Sequence, residues 1–294
     1  MRARILSHPQ FQGICQLAAL FFINGHFHVF KTGTIYQGRL KSFCIPVLNC
    51  YSCPMALYAC PLGSLQFFVM TGRVPLYVLS LLLLVGMSAG RMTCGLLCPF
   101  GYVQDLLFKL GSVRVELPQR LTYIKYAILF LVVFGLSAWF GLPAFCKVCP
   151  LAVLEAGIPL VLMDSDVYQR LFEYESGNFT GWLFVFKIVV LLGIIILTFN
   201  IKRPFCRVLC PLGAFFGLCN RHSITCLRVD QELCNNCQLC ARKCPVDLNI
   251  SENPESAECL RCMRCTFCDA VTADTRLLTF SLQNPCKKQS KPII

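Results

Sequence analysis

Cysteine–proline motifs alternate with long apolar runs along most of this chain, and this alternation is its most constraining feature. Pairs spaced C-x2-C-P occur in "NCYSCP" and "FCKVCP", and pairs spaced C-x3-C-P occur in "RMTCGLLCPFG" and "RPFCRVLCPLG". The order of apolar run, C-x2-C-P, apolar run, C-x3-C-P therefore occurs twice. We interpret it as an internal repeat, with one copy in residues 1–110 and a second copy in residues 111–225.

The apolar runs predict helices that span a membrane. The chain is 56% hydrophobic and only 14% charged, whereas about a quarter of the residues of a typical soluble domain are charged. Each run has roughly the 17–25 residues that a helix needs to cross a bilayer. The runs are Phe11–Phe30, Val74–Gly90, Tyr126–Cys146 and Gly181–Asn200. We therefore expect a mainly α protein, a four-transmembrane-helix bundle with a pseudo-twofold repeat, although a cleaved signal peptide is an alternative for the first run.

The charge distribution argues for a membrane and against nucleic acid. The net charge is +12, but Lys and Arg are dispersed among apolar segments and form no basic stripe. They are more frequent on the side that would hold both termini and residues 91–121. This bias predicts a multi-pass protein of the cytoplasmic membrane with both termini in the cytoplasm. The acidic segment 164–175 would lie on the other side, as a solvated loop.

The tail, residues 226–294, predicts a ferredoxin-like domain with two clusters. "CNNCQLCARKCP" has the C-x2-C-x2-C-x3-C-P spacing of bacterial ferredoxins, in which three cysteines bind one [4Fe–4S] cluster and the fourth binds the other. A second run, "CLRCMRCTFC", ends with an x2 spacing and has Asp269 where proline is usual. The predicted ligand sets are Cys234, Cys237, Cys240 and Cys268, and Cys259, Cys262, Cys265 and Cys244. Zinc ribbons are the alternative, but they use C-x2-C pairs without a third nearby cysteine.

The repeated pairs predict two more clusters. A proline after the second cysteine favours the first turn of a helix, so that cysteine lies at a helix N-terminus, where the dipole stabilises a thiolate. A span separates the two kinds of pair, so only like pairs from the two copies share a membrane face. The expected sets are Cys50, Cys53, Cys146 and Cys149 at the outer face, and Cys94, Cys98, Cys206 and Cys210 at the inner face. Two alternatives remain open: clusters built within one copy, and disulfides for the outer pairs.

Other cysteines are expected to fill space. Cys60 has no evident counterpart in the second copy, so it is either a core cysteine or a substitute ligand. Buried small hydrophobic residues are the expected role of the isolated cysteines, which are Cys15, Cys44, Cys219, Cys226 and Cys286.

These motifs resemble those of the NapH/NosR-like membrane polyferredoxins. The likeness rests on R-x-x-C-x3-C-P-x-G, which occurs twice, on "LNCYSCP" followed by "ACPLG", and on the C-terminal cysteine runs. The resemblance implies four transmembrane helices, C-x3-C-P motifs at the cytoplasmic face, and electron transfer between a quinol or ferredoxin pool and a redox partner. It carries over onto Cys94, Cys98, Cys206, Cys210 and the first ferredoxin run.

The expected function is electron transfer through about four [4Fe–4S] clusters. A cytoplasmic ferredoxin or flavoprotein would exchange electrons with the tail, and a membrane or extracytoplasmic redox subunit would exchange electrons at the outer face. The chain has no nucleotide-binding glycine motif and no catalytic triad, so we expect a component of an oxidoreductase system rather than a stand-alone enzyme. The alternatives are quinone chemistry near His26 and His28, and a redox maturation or regulatory factor. Haem ligation by these histidines is disfavoured, because residues two apart point away from each other on a helix.

Overall fold

A computed structural model describes residues 9–32, 34–111, 114–115, 117–163, 179–268 and 270–275 of the chain. The acidic segment 164–175 lies outside these residues. The longer helices are α1 (Pro9–Ile23), α2 (Pro61–Met70), α3 (Leu76–Ala89), α4 (Pro99–Leu110), α5 (Gln119–Phe140), α6 (Pro150–Met163), α7 (Phe179–Asn200) and α8 (Pro211–Asn220). The shorter helices are Val29–Thr32, Met92–Leu96, Ala144–Val148, Phe205–Leu209 and Leu239–Lys243, with 3-10 turns at Arg39–Ser42 and Arg264–Phe267.

Two of the described helices are long and apolar enough to cross a bilayer, by length and composition. They are α5 and the Trp182–Asn200 part of α7. The helices in the other two predicted runs are shorter, with 15 residues in α1 and 14 in α3. Helix α3 ends at Gly90, whose φ of +59° is unfavourable for other residues and stops the helix. The four-helix bundle and the multi-pass topology therefore remain predictions, as do the repeat and domain boundaries.

Each of the helices α2, α4, α6 and α8 begins at the proline of a Cys-Pro pair. Proline suits this first helical position because its missing N–H would have no partner there. The preceding cysteines share one extended backbone conformation, with φ from −75° to −67° and ψ from 109° to 125°. These cysteines are Cys60, Cys98, Cys149 and Cys210.

The two copies of the repeat pack into each other. Helix α4 of the first copy lies against α7 of the second, and α8 of the second lies against α3 of the first. Gly86 in α3 permits this approach, because a Cβ there would lie 2.9 Å from the Cβ of Cys219 in α8. Helices α4 and α8 begin at the prolines of the two C-x3-C-P motifs. Packing each of them against the other copy therefore brings the two motifs together.

The C-terminal part forms a small module around its cysteines. Strands β1 (Thr225–Val229) and β2 (Val271–Thr275) pair antiparallel, with Val229 opposite Val271. These valines pack with Leu227, Val246 and Leu260 in a buried cluster that also contains Cys244, Cys259, Cys262 and Cys265. This core holds the two cysteine runs against each other.

Ion pairs fix this module to the helical part, and each carboxylate involved contacts two basic side chains. Asp105 pairs with Arg203 at 2.6 Å and with Arg264 of the module at 2.7 Å. From the module side, Glu258 contacts Arg91 and Lys125, and Asp247 contacts Lys202 and Arg207. Burial opposes ionisation of Asp105, but Arg203 and Arg264 outweigh it and hold its pKa below the ordinary value. These buried pairs favour one orientation of the module, because removing either partner would leave a buried charge.

Candidate iron–sulfur cluster sites

The two C-x3-C-P motifs converge on one site, which we call the inner site after its predicted membrane face. Cys98 and Cys210 each interact electrostatically with the thiols of Cys94 and Cys206. Three of these cysteines are 8% exposed or less. Burial raises the pKa of the Cys98 thiol to about 12, so iron would displace a firmly held proton when it binds.

Hydrogen-bond donors and buried arginines surround the inner site. Gln104 Nε2 donates to Cys206 Sγ at 3.1 Å, and the Gly213 N–H donates to Cys210 Sγ at 3.3 Å. Arg91 and Arg203 are 0% exposed, and they donate to the backbone carbonyls of Cys206 and Cys94. The two arginines occupy the same place in the two copies and suit an anionic cluster with four thiolate ligands.

In the C-terminal module, cysteines from the two runs line the same cavities. A cavity of about 220 Å³, ferredoxin site I, is lined by Cys234, Cys237, Cys240 and Cys268. A narrower one, ferredoxin site II, is lined by Cys244, Cys259, Cys262 and Cys265. Each site therefore combines three cysteines of one run with the last cysteine of the other.

The backbone of the two ferredoxin runs is also alike. Asn236 and Gln238 in the first run, and Arg261 and Met263 in the second, have φ between 47° and 60°. These residues stand two and four positions after the first cysteine of each run. Alternation of right- and left-handed conformations turns backbone N–H groups into a concavity that suits an anion such as an iron–sulfur cluster. The shorter x2 spacing of the second run leaves Cys268 at site I.

The inner site and ferredoxin site II are in contact. A Cβ at Gly95, next to Cys94, would lie 2.7 Å from Leu260 O and 3.2 Å from the Cβ of Cys262. Glycine at this position lets the two cysteine loops approach each other closely. Arg203 interacts electrostatically with both Cys206 and Cys262. The two sites therefore share one buried cationic side chain and a common wall.

A cavity of about 300 Å³ marks the outer site, which we define by its lining cysteines, Cys50, Cys60, Cys146 and Cys149. Cys53, predicted from spacing to be the fourth member, is absent from this lining, and Cys60 is present instead. The reason is local: Cys53 lies in successive turns, donating its N–H to Cys50 O and accepting from Ala56 N–H, so Pro54 starts no helix. The helix starts at Pro61. "ACPLG" matches the C-P-x-G pattern of the two inner motifs, and this signal could have identified Cys60.

Buried polar side chains line or border the outer site. Glu155 Oε2 accepts a hydrogen bond from the Cys50 N–H at 2.7 Å, and burial raises the Glu155 pKa to about 7. Gln66 is 0% exposed and interacts with the Cys146 thiol, and its Nε2 has no other hydrogen-bond partner among the described residues. Asn49 lines the cavity at 1% exposure, and neither of its side-chain polar atoms has a partner in the described part of the chain.

After three of the four helix-capping cysteines, the sixth residue along the helix contacts a site cysteine of the other copy. Gln66 in α2 interacts with Cys146, Gln104 in α4 bonds Cys206, and Glu155 in α6 bonds Cys50. The equivalent residue of α8 is the buried Phe216. The pseudo-twofold repeat therefore extends beyond the cysteines to the residues that contact them.

Within the described residues, no three His, Cys, Asp or Glu side chains converge closely enough for a single metal ion. A cubane would hold its four thiolates farther apart than a single ion does. The rings of His26 and His28 lie 6.2 Å apart between centroids, and His26 packs on Tyr36. Neither histidine lines the cavities of the outer site or of ferredoxin sites I and II.

Comparisons with known proteins support 4Fe-4S binding by this chain. A family model described as a 4Fe-4S binding domain matches residues 72–118 and 182–226, and a second 4Fe-4S binding domain model matches residues 227–248. The chain is 28% identical to an uncharacterized protein of Methanocaldococcus jannaschii, over 76% of this chain and 83% of the relative. No solved structure matches the chain significantly.

Two named relatives are bacterial proteins. The ferredoxin-type protein NapH of Haemophilus influenzae is 27% identical, over 78% of this chain and 71% of NapH. The regulatory protein NosR of Pseudomonas aeruginosa is 33% identical over 56% of this chain, but this match covers only 22% of NosR. Fold, cysteine sites and matches together define an iron–sulfur protein with several 4Fe-4S binding sites. These matches support the resemblance to the NapH/NosR-like polyferredoxin family that the motifs predicted.

Proposed function

We propose that this chain carries electrons between a cytoplasmic donor and a membrane or extracytoplasmic acceptor through four [4Fe–4S] clusters. When bound, such clusters accept and release single electrons, and the protein tunes them through hydrogen bonds, burial and nearby charge. The observation that carries the proposal is the contact between the inner site and ferredoxin site II at Gly95. Two cofactor sites with a common wall favour electron transfer between them.

The burial of the cysteines supports an order of the sites along this path. Cys237 of ferredoxin site I is exposed, so a soluble ferredoxin or flavoprotein could exchange electrons there. Site II and the inner site are buried behind it. The outer site lies at the start of α2 and α6, and it would exchange electrons with the second partner. Exposed apolar side chains on the helical part suit a lipid environment; they include Phe22, Leu84, Trp139 and Trp182, each at least 67% exposed.

The first test is the content of iron and acid-labile sulfide per chain in anaerobically purified protein. About 16 iron atoms and as many sulfides would support four cubanes, whereas about 12 would leave one site empty. The second test reconstitutes the protein in liposomes with a membrane-impermeant acceptor inside and reduced ferredoxin outside. Reduction of the enclosed acceptor supports transmembrane transfer, and its absence with fully loaded protein contradicts it.

One cavity supports quinone-linked transfer as a second candidate function. A cavity of about 340 Å³ lies between α1 and α4, lined in part by Gln16, Tyr102 and Leu106. Gln16 Nε2 also donates to Cys98 O at 3.2 Å, so a bound quinone would lie close to the inner site. A quinone analogue that slows reduction of the inner cluster, but not of the ferredoxin clusters, would support this candidate. A maturation or regulatory role would instead require activity only during assembly of a partner enzyme.

A further inference from the structure

We propose that the outer site is a [4Fe–4S] site whose four ligands are Cys50, Cys60, Cys146 and Cys149. The residues matched by the 4Fe-4S family models, 72–118, 182–226 and 227–248, include none of these cysteines. The inference rests on the proposed function and deepens it, because it identifies the ligands at the outer end of the electron path. It replaces Cys53, which the C-x2-C-P spacing predicts as a ligand, with Cys60.

The backbone makes Cys60 the equivalent of Cys149. Both residues cap a helix that begins with Pro-Leu, and their φ and ψ angles are −72° and 125°, and −67° and 120°. Cys98 and Cys210 occupy the same position at the inner site, where the described structure brings all four cysteines together. A pseudo-twofold arrangement of the outer site therefore requires Cys60 opposite Cys149.

Proximity of the thiols points to the same set. The Cys60 thiol interacts electrostatically with those of Cys50, Cys146 and Cys149. The Cys53 thiol interacts instead with Glu155 and Lys41. The cavity is therefore bordered by two cysteines from each copy, with Cys53 beside it.

The cavity is built for a polar, anionic occupant. The side-chain amide of Asn49 lines it without a hydrogen-bond partner in the described residues, although Asn49 is only 1% exposed. A buried amide without a partner costs free energy, so a group that accepts or donates a hydrogen bond there is expected. Lys147 and Lys187 also line the cavity, and Lys187 interacts with Cys50, Cys146 and Cys149. A cluster with four thiolate ligands supplies sulfur acceptors for the amide and negative charge for the lysines.

The first copy forms its half of the site over a longer loop than the second copy does. Cys146 and Cys149 come from a C-x2-C-P pair, whereas Cys50 and Cys60 are separated by a loop that contains Cys53. The parallel bridge between Cys44 and Ala59 draws the end of this loop back to an earlier segment. Glu155 then holds the Cys50 N–H from the opposite copy. These contacts allow distant residues of the first copy to border one cavity.

The test compares Cys60→Ala with Cys53→Ala in the full chain, purified anaerobically. The two cysteines are a matched pair, since both are buried, at 7% and 1% exposure, and both precede proline. We expect Cys60→Ala to lose a quarter of its iron and sulfide and one reduced-cluster signal in electron paramagnetic resonance. Cys53→Ala should keep the full content and all signals. Loss of a quarter of the iron from Cys53→Ala, with full content in Cys60→Ala, would overturn the assignment.

Two further results keep the proposal testable. If Cys60→Ala does not accumulate, Cys53→Ala decides alone: full content supports the assignment, and loss of one cluster refutes it. In the unmodified protein, about 12 iron atoms per chain would leave one site empty. If Cys60→Ala then loses no further iron, the outer site holds no cubane, which overturns this inference and the four-cluster function together. About 16 iron atoms with a loss in Cys53→Ala would overturn only the ligand assignment.

Discussion

The hydrogen bond from Gln104 to the inner site offers a direct test of how this protein tunes a cluster. Gln104 is 1% exposed, and its Nε2 donates to Cys206 Sγ at 3.1 Å. Its Oε1 has no partner among the described residues. Methionine has nearly the same volume and cannot donate, so Gln104→Met removes the hydrogen bond without opening a large cavity.

The expected change is a lower midpoint potential of the inner cluster. A hydrogen bond to a charged group contributes about 1.5–3 kcal/mol to stability, and it favours the reduced cluster more because that form carries one more negative charge. If this hydrogen bond is about 1 kcal/mol stronger in the reduced state than in the oxidised state, its loss shifts the potential of a one-electron couple by about 40 mV, since 59 mV corresponds to about 1.36 kcal/mol. Gln104→Met should therefore make the potential about 40 mV more negative.

The assay is a redox titration of the anaerobic protein followed by electron paramagnetic resonance. Gln12→Met is the matched control, because Gln12 is also buried at the inner motif but donates to Gly95 O, which Gln16 also contacts. The control should keep its potential, and both variants should keep their iron. Equal shifts in the two variants, or no shift in Gln104→Met, would refute this explanation of tuning.

Three further changes test the contacts between sites. Gly95→Ala should push the ferredoxin loop away from the inner site, destabilise the protein by about 1–3 kcal/mol in thermal unfolding, and slow reduction of the inner cluster in stopped-flow measurements. Asp105→Asn leaves the fully buried Arg203 without a carboxylate, which should cost about 3–5 kcal/mol and make limited proteolysis release the C-terminal module. Cys268→Ala should lose one cluster in an iron assay, about four iron atoms, whereas the control Cys226→Ala, at a buried cysteine of strand β1, should lose none.

Spacing in the sequence was most informative where cysteines and their helix lie close together in the chain. In "RMTCGLLCPFG", the short helix Met92–Leu96 and the proline-started α4 fix Cys94 and Cys98 locally. The spacing of the ferredoxin runs predicted that the last cysteine of each run lies at the site of the other run. The structure has Cys268 in the lining of site I despite the altered end of the second run. These are local consequences of backbone geometry, so a pattern of a few residues suffices.

The outer site was harder to predict because its first-copy half depends on tertiary contacts. "NCYSCP" has the same spacing as "FCKVCP", but only the second leads into a helix at its proline. The pattern alone cannot show that the chain turns at Cys53 and returns to the cavity at Cys60. The charge partners were equally hidden, because Glu258 and Arg91 are far apart in the chain and meet only when the module docks.

The inner and outer sites are each formed by both copies of the repeat, and this affects how the protein assembles. Neither copy contains more than two of the four cysteines that meet at the inner site or line the outer cavity, and the contacts of Gln104 and Glu155 also cross between copies. Helix α4 must therefore pack against the second copy, and α8 against the first, before four thiols can converge at the inner site. Burial raises the pKa of the thiols there, so iron would have to displace their protons when it binds at the packed site. Cluster binding should then stabilise the packing of the two copies, and the packing should in turn protect the cluster.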